Sequence, residues 1–161
     1  MEKENKLEKL KEEYSKLQKK YDLPPFENLN EDFNIEKAAE VETEYIIREV
    51  RKFLVDKFSN YMRFIENLLN PVNVPMFVFS TVKAMTIEDR KKLAEIYKKM
   101  AKVEIDLVEV DISFSEEKEA KFIKDAYRVW QEVKEGITDT LISIKKNWDS
   151  KFETNNKGYF G

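Results

Sequence analysis

The chain has 161 residues, 42% hydrophobic and 38% charged, with 29 Lys and Arg against 32 Asp and Glu and no His or Cys. That length fits one core, and the missing residue types exclude disulfides, thiolate nucleophiles, imidazole bases and Cys/His-held zinc or haem. The three glycines, Gly136, Gly158 and Gly161, cannot build a P-loop or a G-x-G-x-x-G turn, and a net charge of -3 gives no global pull towards nucleic acid or anionic membrane.

The charged, helix-patterned start from Met1 to Leu10 is unlike a targeting peptide. The longest uncharged stretch, residues 67–82, is too short to span a bilayer and is broken by Asn70-Pro71 and Pro75. A soluble cytoplasmic protein without a membrane partner is expected.

Leu7, Leu10, Tyr14, Leu17 and Tyr21 recur at steps of three and four. They form a thin a/d seam on an N-terminal helical arm, residues 1–22. Pro24-Pro25 ends the arm. A polar, proline-containing connector follows over residues 23–33, punctuated by Phe26, Leu29 and Phe33. Asn34 (or Asp32) is the expected N-cap of a long second helix running to Leu69. Ile35, Ala39, Ile46, Val50, Phe53, Leu54, Tyr61, Ile65 and Leu68 give it a wide apolar face, so it should be central.

Asn70-Pro71 stops that helix, and Pro75 opens the run Met76-Phe-Val-Phe-Ser-Thr-Val82. Its apolar character all round suits a short buried helix. Thr86 and Asp89 resemble a capping box at the head of a third long helix. Leu93, Ile96, Met100, Val103, Leu107, Val110 and Phe114 keep helical spacing there. A strand-like alternation over residues 103–112 breaks at Leu107-Val108, so the helix is preferred. Ser113 or Ser115 caps the last helix, with Ile123, Tyr127, Trp130, Val133, Ile137, Leu141, Ile144 and Trp148 along one side. Gly136 within it marks a kink or a close helix crossing. Residues 151–161 have no period and read as a flexible tail.

The expected architecture is therefore all-α: an elongated, mostly antiparallel bundle of about four long helices plus one short buried helix. The bundle proper spans residues 34–150. The pattern Phe53-Leu54-x-Asp56-x-Phe58-x-x-Tyr61 echoes Phe122-Ile123-x-Asp125-x-Tyr127-x-x-Trp130. It is read as two amphipathic helices sharing a period, not as a duplicated hairpin.

Ser80 and Lys83 have the S-x-x-K spacing that lets a lysine activate a serine, without the S-D-N, K-T-G or glycine-rich context that such chemistry uses. Asp106 and Glu109 could face Glu116 and Glu119 as a Mg²⁺ site. Paired acidic helices of this kind resemble the all-α nucleoside triphosphate pyrophosphatases of the MazG type. The resemblance stops at the acidic pairs, because the motif order differs. Arg90, Lys91, Lys92, Lys98, Lys99 and Lys102 form a basic ridge on the third long helix, which would suit phosphates unless the acidic stretch from Glu27 to Glu49 neutralises it.

No catalytic, metal-binding or cofactor-binding residue is assigned. The leading reading is a non-enzymatic helical-bundle protein acting through protein contacts. Its partner, or a second copy, is expected to engage the arm through Leu7, Leu10, Tyr14, Leu17 and Tyr21. The first alternative is nucleic-acid association through Arg90, Lys91, Lys98, Lys99 and Lys102. The second is a carboxylate- and Mg²⁺-dependent nucleotide hydrolase.

Overall fold

The computed structural model describes residues 1–157. Those residues form an all-α helical bundle without strands. The helices are α1 (Glu2–Tyr21), α2 (Phe26–Phe33), α3 (Ile46–Leu69), α4 (Met76–Ala84), α5 (Ile87–Ile112) and α6 (Glu116–Lys157), with a 3-10 helix at Ile35–Glu40. The chain divides into two units, residues 1–59 with 102–129 and residues 60–101 with 130 onward. The long helices α3, α5 and α6 contribute to both.

In the first unit α1 folds back on its own chain. Leu10 and Tyr14 are buried, the Tyr14 ring meets Phe26 edge-on at 5.5 Å, and its hydroxyl donates to the Pro24 carbonyl. The αL conformation of Asp22 (φ 54°) closes the helix. The following residues form a helix where a connector is expected. Pro25 precedes its first turn, and Phe26, Leu29 and Phe33, spaced three and four apart, are all buried.

The long helix expected from Asn34 begins instead at Ile46. Asn34 adopts φ 57° and terminates α2, a left-handed geometry that asparagine tolerates and that turns the chain instead of starting a straight helix. The 3-10 helix buries Ile35 and Ala38, and Val41 is extended. Thr43 Oγ1 accepts from the Tyr45 amide, a local bond that competes with helix. Glu40 and Glu44 would repel at i,i+4 if the helix were continuous. At 24 residues, α3 is about 36 Å long instead of about 50 Å.

The core of this unit is built from Val50, Leu54 and Phe58 of α3, Val103 and Val110 of α5, and Phe122, Ile123 and Ala126 of α6, all buried. Ser59 donates to Glu104 at 3.1 Å and Arg51 pairs with Asp111 at 3.1 Å. These two links show α3 and α5 running antiparallel.

In the second unit α5 and α6 are antiparallel too. Lys99 meets Glu132 and, seven residues back, Lys92 meets Asp139, seven residues on. The crossing is close at Gly136, where an added Cβ would come within 3.0 Å of Ile96 Cδ1. The capping box forms in full. The Asp89 amide donates to Thr86 Oγ1 at 3.0 Å and the Thr86 amide to Asp89 Oδ2 at 2.9 Å. Ser143 of α6 also donates to Asp89 Oδ2, at 2.8 Å, tying this cap to its neighbour. Residues 103–112 lie within α5, which settles the strand alternative.

Two further expectations change. Helix α4 forms as anticipated, but only Val78, Thr81 and Ala84 are buried, while Met76, Phe77 and Phe79 remain exposed. Helix α6 continues to Lys157, through most of the expected tail. No proline or glycine falls between residue 151 and Gly158, so nothing stops helix propagation there. Residues 158–161 of that tail lie outside the described residues.

Tyr61 packs on Trp130 at 5.1 Å in the second unit, and Arg51 meets Glu119 in the first. Tyr61 and Trp130 occupy equivalent positions in the sequence echo noted above.

Candidate functional site

The arm residues lie against the body of the first unit. Leu10 and Tyr14 are buried there, and Leu7, Leu17 and Tyr21 are half-buried. Tyr21 donates its hydroxyl to Glu116 at 2.7 Å, and Lys20 reaches the same carboxylate at 2.8 Å. Both bonds hold the Glu116 carboxyl below its ordinary range. The seam is thin because its neighbours are short: α2 and the 3-10 helix cover it.

Of the ridge residues, Arg90, Lys91, Lys98, Lys99 and Lys102 are all exposed on α5. Lys91 pairs with Glu88 of its own helix, Lys92 with Asp139 and Lys99 with Glu132. Acidic residues of α5 and α6 thus neutralise part of the ridge.

The four carboxylates do not converge. Glu116 is held by Lys20 and Tyr21. Glu119 is fully buried, with Arg51 Nε at 2.7 Å and Arg48 Nε at 3.6 Å. Asp106 and Glu109 line a hollow that Lys118 and Lys121 also border, and those ammonium groups compete with any cation there. Among the described residues no group of three or more carboxylates is placed to hold a metal ion. On α4 it is Thr81 that bonds back to the backbone, at 2.8 Å from the Phe77 carbonyl. Ser80 and Lys83 make no hydrogen bond to one another among the described residues.

The surface that sequence reasoning missed is the outer face of α4 and the turn before it. Met76 is 82% exposed, Val72 65%, Phe77 64% and Phe79 43%. Positive φ at Asn73 lets the Pro71–Pro75 turn reverse the chain tightly. A nine-residue helix flanked by two turns can bury only the side that Val78, Thr81 and Ala84 occupy. Pro71 and Pro75, both ahead of the helix, were the available signal. Phe77 leans on Trp148 of α6 with ring centroids 6.3 Å apart, and Asn147 donates to the Ala84 carbonyl at 3.3 Å. These contacts fix α4 on α6. Lys83 on α4 itself, and Lys145 and Lys146 just before Trp148 in the chain, are all exposed.

No family model, curated protein or solved structure matches the chain. Among the described residues, no helix is long and apolar enough to cross a membrane.

Proposed function

We propose that the chain is a non-enzymatic helical-bundle protein that acts by binding another protein, and that the outer face of α4 makes the contact. The observation that supports this is the exposure of Val72, Met76, Phe77 and Phe79 within a short stretch of chain, on an element that Asn147 ties to α6. Large apolar and aromatic side chains gathered at one place, with charge at the edge, have the composition of a binding hot spot. The surface that complements it is apolar with carboxylates around it, facing Lys83, Lys145 and Lys146.

A photo-crosslinking residue placed at Phe77 tests the reading in cells producing the full chain. The expected outcome is one discrete adduct, absent when the residue is placed at Lys91 and abolished by Met76→Asp. No adduct at Phe77, or the same adducts from both positions, would overturn it. So would tight association of the purified chain with anionic lipid vesicles lost in Met76→Asp, since the apolar face would then belong to a membrane.

A further inference from the structure

Far from α4 in sequence, the end of α1 and the beginning of α6 enclose a cleft lined by Lys19, Lys20, Lys118, Lys121 and Lys124. Asp22 and Glu117 also line it, Glu116 answers Lys20, and Asp106 and Glu109 share a neighbouring hollow with Lys118 and Lys121, yet five cations face two carboxylates in the cleft lining itself. Two lysines are fixed in place. Lys20 bonds to Glu116 at 2.8 Å, and Lys124 Nζ donates to the Tyr21 carbonyl at 3.1 Å. Lys19, Lys118 and Lys121 are exposed and make no ion pair among the described residues. Lys118, Lys121 and Lys124 follow one another at three-residue intervals on α6, where like charges repel. A multiply charged anion would relieve that repulsion.

We propose that this cleft binds a chain of linked phosphate groups. Apart from Ala120 and the Tyr21 ring, the apolar surface of its lining comes from lysine stems, so the groups that would fix a ligand here are the ammonium heads. An acidic peptide would need pockets for its side chains, whereas a phosphate chain needs only spaced donors, and lysine is a flexible point-charge donor to phosphate oxygens. The lysine side chains supply the field. The end of α6 itself is already answered by Glu116, Glu117 and Glu119 in its first turn. The site is independent of the protein contact proposed for α4.

Titration calorimetry of the full chain with inorganic tripolyphosphate tests the proposal. Saturable binding is expected at low salt, weakening as salt is raised. The triple variant Lys19→Gln, Lys118→Gln, Lys121→Gln should bind at least about ten-fold more weakly, through loss of charge-assisted bonds. A control triple on α5, Arg90→Gln, Lys91→Gln, Lys98→Gln, should bind like the parent, and circular dichroism should show all three chains equally helical. Absence of binding at low salt, or equal losses in the two triples, would overturn the site. Competition by a glutamate heptapeptide as effective as unlabelled tripolyphosphate would overturn the phosphate assignment.

Discussion

Glu119 has no exposed surface, and Arg51 beside it is nearly as buried. Removing one partner of a buried pair costs about 3–5 kcal/mol, and Asp111, 3.1 Å from Arg51, places this case at the lower end. Glu119→Ala should therefore lower the urea-denaturation stability by that order, and Glu119→Gln, which keeps an acceptor beside Arg51, by less. A loss under about 1 kcal/mol in the alanine variant would show that the pair adds little beyond packing. Burial pushes the Glu119 carboxyl above its ordinary value of 4.5, against the opposing pull of Arg51 and Arg48. The folded chain consequently holds that proton more tightly than the unfolded chain. Its stabilising contribution is fully present below the ordinary carboxylate range and declines as pH rises from there through the folded value. Glu116, with its lowered carboxyl, acts in the opposite sense. Subtracting the stability of Glu119→Gln from that of the parent across about pH 4–7 isolates the first effect. The difference should fall with pH; a rise would contradict the direction of the shift.

Helix by helix, spacing and capping were the readable features. Thr86 and Asp89 form the box that their separation announces, and Thr86→Ala should lower the thermal midpoint through a loss of about 1 kcal/mol. The close crossing anticipated at Gly136 is present. Gly136→Ala trades about 1 kcal/mol of helix propensity against a 3.0 Å approach to the tip of Ile96. It should leave the midpoint nearly unchanged, whereas Gly136→Val, too wide for the crossing, should cost about 1–3 kcal/mol. Where short elements intervene, periodicity misleads. Phe26, Leu29 and Phe33 span only two turns, too few to separate a helix from a punctuated loop by pattern. The break before Ile46 depends on Asn34 adopting a left-handed conformation, a tertiary choice that an N-cap residue does not declare. The arm follows the same logic. Its seam faces its own neighbours, so Tyr14→Ala should cost about 3–5 kcal/mol in equilibrium unfolding. A near-neutral change would mean that the arm contributes little to the native state.

For the molecule as a whole, all-helical character was legible because side-chain period decides secondary structure over long segments. Which apolar residues remain in water was not, because that depends on how many neighbours each helix acquires. Met76-Phe-Val-Phe79 has the composition of a core segment, yet one face of α4 rests on the protein and the other is uncovered. This difference makes a whole-chain comparison decisive. A buried aromatic such as Phe58 should cost about 3–5 kcal/mol on truncation to Ala. Met76→Ser combined with Phe79→Ser removes comparable apolar bulk from an exposed face, and should change unfolding stability by only about 1 kcal/mol. The same double variant should eliminate the crosslinked adduct expected from position 77. Stability and binding would then separate cleanly, as they do when side chains are retained for recognition instead of folding. If the double variant instead unfolds as readily as Phe58→Ala, the outer face of α4 contributes to the native core, and the contact surface must be sought elsewhere on the bundle.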